Sequence, residues 1–137
     1  MVNKNEQILL LKRQNTGYRD GEWGLVSGHV EKGESMVEAL LREAREEAGL
    51  DIPADELQFG CLLHRNSDDS ERVDLFFVWE PPHMPEVVNL EPQKCAELKY
   101  FDLDELPENT ISYVREALEC CAEERPYFEY GWDDEES

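Results

Sequence analysis

Residues Gly28–Leu50 read GHVEKGESMVEALLREAREEAGL, and this stretch decides how the chain is read. Within it the run from Ser35 to Gly49 carries start and stop signals for a helix. Ser35 suits the N-cap, Glu38 can close a capping box, and Gly49 marks the C-terminal stop. On that helix Val37, Leu40, Leu41, Ala44 and Ala48 fall on one apolar arc, the expected core anchor. Glu43 stands three residues before Glu46 and four before Glu47, so all three carboxylates project from a neighbouring arc. Three adjacent carboxylates repel one another, and a helix gains nothing by collecting them. A hard cation resolves the conflict, because Mg²⁺ takes oxygen ligands and bridges to phosphates. Taken alone, the cluster would fit a solvated face laced with ion pairs to Arg42 and Arg45. The spacing of the whole stretch outweighs that reading.

Composition narrows the partners. The chain has 137 residues, 40% hydrophobic and 34% charged, which fits one compact domain over residues 1–137. Its formal net charge of −20 opposes binding to a nucleic-acid strand or an anionic membrane. Small phosphates would be excluded too, unless clustered carboxylates hold divalent cations that invert the local field. No apolar run approaches the roughly 20 residues needed to span a bilayer. The first residues lack a signal-peptide pattern, so a cytoplasmic location is the default expectation. Cys61, Cys95, Cys120 and Cys121 show no paired Cys-x-x-Cys spacing and read as reduced thiols.

Working outward, Gln7 to Lys12 (QILLLK) is expected to be a strand, with a turn over Asn3 to Glu6 before it. That turn implies a strand further upstream, and the reading leaves none. Thr16 to Glu22 reads as a loop and Trp23 to Val26 as a short apolar stretch. Leu57 to His64 and Arg72 to Trp79 form an expected hairpin through Asn66 to Ser70. Leu98 to Leu103 reads as another strand. Ile111, Val114, Leu118 and Cys121 recur at helical spacing and predict a second helix. The acidic tail from Asp133 to Ser137 is expected to be mobile. Tyr18, Trp23 and Phe76 are candidates for stacking on a base, with burial in the core as the competing role. His64 and Arg72, on the expected hairpin, could line a pocket.

The stretch resembles the Nudix box: Gly, five residues, Glu, seven residues, Arg-Glu, apolar, any, Glu-Glu, any, Gly, apolar. Gly28, Glu34, Arg42, Glu43, Ala44, Glu46, Glu47, Gly49 and Leu50 occupy all nine specified positions. The resemblance implies an α/β/α sandwich with a mixed sheet, the box helix on one side and the Ile111 to Cys121 helix on the other. It also implies the family's usual first strand, which this reading does not find. Glu43, Glu46 and Glu47 are the implied metal ligands, with Glu43 also orienting or deprotonating the attacking water. Arg42 is expected to steady a box carboxylate by a bidentate ion pair, and Glu34 to be structural. The Ser27 carbonyl is implied as a further ligand. The stretch LEPQKCAELKYFDLDELP (residues 90–107) is similar to MutT-like members and adds Glu91 to the metal set. Arg13, His29, Asn109 and Thr110 fall where such proteins contact substrate. The implied cofactor is Mg²⁺, or Mn²⁺, and the implied partner is a small nucleotide. Family members often pair, so a homodimer belongs among the expected assemblies.

The implied reaction is hydrolysis of a nucleoside diphosphate-linked substrate, first of all as a nucleoside triphosphate pyrophosphatase of MutT type. An ADP-ribose or nucleotide-sugar pyrophosphatase stays open, as does a non-catalytic nucleotide-binding module. The box handles the diphosphate and not the group attached to it.

Overall fold

The computed structural model of the chain describes residues 3–4, 6–27, 30–67 and 70–132. Its elements run β1 (Asn3–Lys4), β2 (Gln7–Arg13), β3 (Trp23–Gly24), α1 (Met36–Ala48), β4 (Leu57–Ser67), β5 (Ser70–Trp79), β6 (Cys95–Asp102), α2 (Ser112–Ala122) and β7 (Tyr127–Tyr130). The tail, residues 133–137, lies outside the described residues.

The apolar run of β2 explains the layering. Successive strand side chains point to opposite faces, yet Ile8, Leu9, Leu10 and Leu11 are all buried. Leu9 packs with Ala44, Ala48, Leu50 and Trp79 on the α1 side. Ile8 and Leu10 pack with Trp23, Ile111, Val114 and Leu118 on the α2 side. A strand buried on both faces reads as a continuous apolar run rather than an alternating one, and the two helices therefore cover opposite faces of β2. This is the expected α/β/α arrangement.

β2 pairs antiparallel with β6 along its length, Leu9 facing Tyr100. Its other edge takes β1 near the start (Asn3 facing Ile8) and β3 near the end (Leu11 facing Gly24). A strand ahead of Gln7 is therefore present, against the expectation of none. It is only two residues long, and the turn after it holds Glu6 at φ 60°. Short pairing of this kind leaves no hydrophobic periodicity to read.

The mixed pairing lies in a second sheet, ordered β5-β4-β7. β4 and β5 form the expected antiparallel hairpin, while β7 runs parallel to β4, Leu63 facing Phe128. β7 went unread from the sequence because it is four residues long, although its burial alternates around the inward Phe128. α2 joins the sheets: Ala117 and Cys120 meet Cys61, Leu63 and Phe128. Among the described residues, no helix is long and apolar enough to cross a membrane.

Candidate active site

α1 is built as its sequence requires. The Ser35 side chain accepts from the Glu38 amide at 3.1 Å, and the Glu38 carboxylate accepts from the Ser35 amide at 2.8 Å. At the other end Gly49 adopts φ 67°, a left-handed conformation open to glycine without a side-chain penalty. The amides of Gly49 and Leu50 then close on Arg45 and Ala44 carbonyls at 3.1 and 3.2 Å. The apolar arc is narrower than expected: Ala39, Ala44 and Ala48 are buried, whereas Val37, Leu40 and Leu41 are only partly covered.

Arg42 organises the polar side. Its Nε and Nη2 donate to the two oxygens of Glu34 at 2.7 and 3.2 Å, a two-pronged pair. Nη1 donates to Glu43 at 2.6 Å and to Glu46 at 3.2 Å. The bidentate partner is thus the loop residue Glu34, while the helix carboxylates receive single bonds. Glu34 also accepts from the Glu31 amide at 2.9 Å. The Arg42 contact, then that amide, hold its carboxyl below the usual carboxylate range. The same contacts, Glu34 first and Glu43 second, raise the Arg42 pKa.

Glu47 lies deeper. Burial comes first, then its hydrogen bond with Glu43 and the charges of Glu43 and Glu91, and together they push its pKa up to about 10; the Ser27 amide, donating to it, opposes them. Glu47 thus contacts the Glu43 carboxylate and the Ser27 amide, and Glu91 is near enough to act on it through its charge. Glu46 sits at the rim, its side chain 50% exposed against 18% for Glu43. A half-buried carboxyl near two others takes up a proton or a cation to relieve repulsion. Donors that are all oxygen suit a hard divalent cation, so these residues fit the metal that the sequence implies. A different acidic group, Asp102, Asp104 and Glu105, brings its carboxylate oxygens within 4.8 Å at the end of β6. All three residues are exposed, and water can solvate them without an ion.

Glu91 is placed by the chain around it. The amides of Val88 and Leu90 donate to the carbonyls of Ala48 and Glu47, which lays this loop along the C-terminal end of α1. Asn89 then accepts from the Glu91 amide at 3.1 Å and donates to the Cys95 carbonyl at 2.7 Å. That turn makes Asn89 a positioning residue, which the sequence reading missed. Its signal was the Asn two residues before Glu91, a spacing suited to a side-chain turn.

The described substrate candidates are tied into the segments that carry them. Arg13, at the end of β2, donates to the Tyr18 carbonyl at 2.8 Å and the Thr16 hydroxyl at 3.2 Å. Asn109 donates to the Gly21 carbonyl at 2.7 Å. Thr110 is buried and bonds the Pro107 carbonyl at 2.8 Å. These three brace the loop between β2 and β3 and the approach to α2. His29 and Gly28 lie outside the described residues.

Of the aromatic candidates, Trp23 is buried, with its ring edge-on to Phe101 at 4.8 Å, and Phe76 packs on the Cys61 cluster. Tyr18 is 43% exposed. Arg72 is exposed on β5, and His64 packs against Trp132 at 4.6 Å. Sequence reasoning also missed Arg65, a buried cation held by Asp74 at 2.9 Å and the Tyr18 hydroxyl at 3.1 Å. It lies 4.2 Å from the centre of the Tyr113 ring.

The sequence profile of the NUDIX domain matches residues 1–119. The chain is 32% identical over 119 residues to an ADP-ribose pyrophosphatase of Methanocaldococcus jannaschii, covering 84% of this chain and 66% of that protein. Over 49 residues it is 43% identical to human 8-oxo-dGDP phosphatase NUDT18, spanning 36% of this chain and 15% of that protein. Among solved structures, a MutT NUDIX hydrolase from Burkholderia pseudomallei superposes with a TM-score of 0.74 at 27% identity, covering 86% of this chain and 93% of that one.

Proposed function

The chain belongs to the NUDIX family, and from that membership we propose that it hydrolyses a phosphoanhydride bond in a nucleoside diphosphate-linked compound. The observation that carries this reading is the half-buried Glu47 carboxyl, bonded to Glu43 and the Ser27 amide and subject to the charge of Glu91. An anionic cluster of this kind is costly for a fold unless it serves a cation. Glu43, Glu47 and Glu91, with Glu46 at the rim and the Ser27 carbonyl, would hold Mg²⁺ or Mn²⁺. When bound, such an ion polarises a phosphoryl oxygen and lowers the pKa of water.

The chain's own residues do the rest. Arg42 fixes Glu43 and Glu46 while anchored on Glu34, so the carboxylates keep their geometry. Glu43, at hydrogen-bond distance from Glu47, orients the attacking water or takes its proton. In this reading Arg13 and His29 serve the substrate phosphates and Asn109 the base or its equivalent, while Thr110, buried and bonded to the Pro107 carbonyl, holds that segment.

Two substrate classes follow. The similarity to a MutT NUDIX hydrolase supports a nucleoside triphosphate pyrophosphatase. The archaeal relative supports ADP-ribose. A purely binding role has less support, because a binder has no need of Glu43, Glu46 and Glu47 together. The deciding experiment assays a panel of nucleoside triphosphates, ADP-ribose and nucleotide sugars with Mg²⁺, comparing the natural chain with Glu47→Gln. Turnover of one class, lost in the variant, is the expected result. If nothing turns over, or the variant matches the natural chain, the hydrolase reading fails.

A further inference from the structure

The last turn of α2 carries adjacent cysteines, Cys120 and Cys121. The Cys121 Sγ lies 3.6 Å from the Cys61 Sγ on β4, across a sequence separation of 60 residues. Cys61 is fully buried, and Cys121 is partly open to solvent. The strand is shaped to admit this approach. A bulge interrupts the β4–β5 register between Phe59 and Cys61, and the residue within it is Gly60. A Cβ on Gly60 would lie 2.7 Å from the Cys121 sulfur and 3.1 Å from the Phe76 carbonyl oxygen. Glycine is therefore what leaves room for the sulfur. Cys95 takes no part, because its thiol bonds the Glu97 carbonyl on β6.

We propose that Cys61 and Cys121 are an oxidation site, converted by hydrogen peroxide into a reversible disulfide that ties β4 to α2. A disulfide bond is about 2.05 Å long, so the sulfurs must close roughly 1.5 Å. Cys121 is the group that meets the oxidant. Its contact with Cys61 lowers its pKa below the ordinary thiol value, against the effect of burial. The same contact, and then burial, raise that of Cys61. The thiolate is the nucleophile.

In the first step the Cys121 sulfur attacks one peroxide oxygen; an S–O bond forms and the O–O bond breaks. The departing hydroxide takes the proton given up by the Cys121 thiol and leaves as water, with a sulfenic acid on Cys121. In the second step the Cys61 sulfur attacks the Cys121 sulfur; the S–S bond forms and the S–O bond breaks. Hydroxide leaves with the Cys61 proton as a second water. The two thiols lose two electrons in all, and peroxide accepts them.

The test treats the native full chain with hydrogen peroxide, blocks remaining thiols by alkylation, and maps disulfides by mass spectrometry without reduction. The expected result is loss of two of the four thiols, a Cys61–Cys121 linked peptide, and recovery of both thiols with dithiothreitol. Cys120→Ser should form the same link, and Cys121→Ser should keep its Cys61 thiol. A Cys61–Cys120 link, over-oxidation of Cys121 with Cys61 left free, or a link that forms only in denaturant would each overturn the proposal. The mapping of the natural chain decides the matter even where a variant folds poorly.

Discussion

Arg42 and Glu34, eight residues apart, are locked by two parallel hydrogen bonds of 2.7 and 3.2 Å between the box helix and the loop that precedes it. This pair sets the position of the guanidinium, and the guanidinium in turn fixes Glu43 and Glu46. Arg42→Lys keeps the charge but cannot span these partners, since an ammonium lacks the planar fork. We expect kcat/KM to fall by about 10- to 100-fold, the usual cost of losing a group that orients metal ligands. Steady-state kinetics at saturating Mg²⁺ would check it; an unchanged rate would show the fork to be dispensable.

Glu47 gives a binding prediction that needs no substrate. A ligand held only by the folded state stabilises it by about 2.7 kcal/mol at a hundred times its Kd. Thermal unfolding should therefore shift upward as Mg²⁺ is raised, and Glu47→Gln should abolish most of the shift. An equal shift in both proteins would place the ion elsewhere, for example at Asp102, Asp104 and Glu105.

Asn89 accepts from the Glu91 backbone amide and donates to the Cys95 carbonyl. Asn89→Ala should weaken Mg²⁺ binding by roughly 10-fold through misplacement of Glu91. Asn89→Asp restores the acceptor for the amide and should recover part of the loss. Titration of Mg²⁺ by calorimetry separates this from a simple loss of stability, which would leave the affinity of the folded fraction unchanged.

Leu9 joins β2 to α1 through Ala44, Ala48, Leu50 and Trp79. Its side chain is 1% exposed, so Leu9→Ala should destabilise the fold by about 2–5 kcal/mol. Urea unfolding followed by tryptophan fluorescence would measure it, and a loss well below about 2 kcal/mol, the lower edge for a buried leucine, would contradict this packing.

Asp20 supplies a pH test away from the metal cluster. The Thr16 hydroxyl first, then the Gly17 amide, lower its pKa below the ordinary carboxylate value. A carboxyl whose folded pKa is depressed steadies its loop above the unfolded value of about 3.9 and loses that effect as pH falls through the folded value. The Gly17 amide signal should therefore titrate in NMR with a midpoint below about 3.9, and Asp20→Asn should remove the transition. A midpoint at or above the ordinary value would mean the loop bonds do not persist in solution.

Local chemistry made much of this protein legible. The caps of α1, the β4–β5 hairpin and the α2 spacing were readable because each depends on residues close in sequence. The relation of Glu43 to Glu46 and Glu47 was readable for the same reason, since one turn of helix sets it. What chain pairing decides could not be read so. The parallel docking of β7, the pairing of buried Arg65 with Asp74 and the turn that presents Glu91 all depend on partners brought together by the fold. Gly28–Leu50 thus determined by itself a helix with an apolar arc beside an acidic one. Only the tertiary structure decided that Glu47, rather than Glu46, is the more enclosed carboxyl. Which side chain of an acidic arc loses its water depends on what the rest of the chain brings to it, and here Ser27 supplies an amide and Glu91 a charge, both from outside the helix.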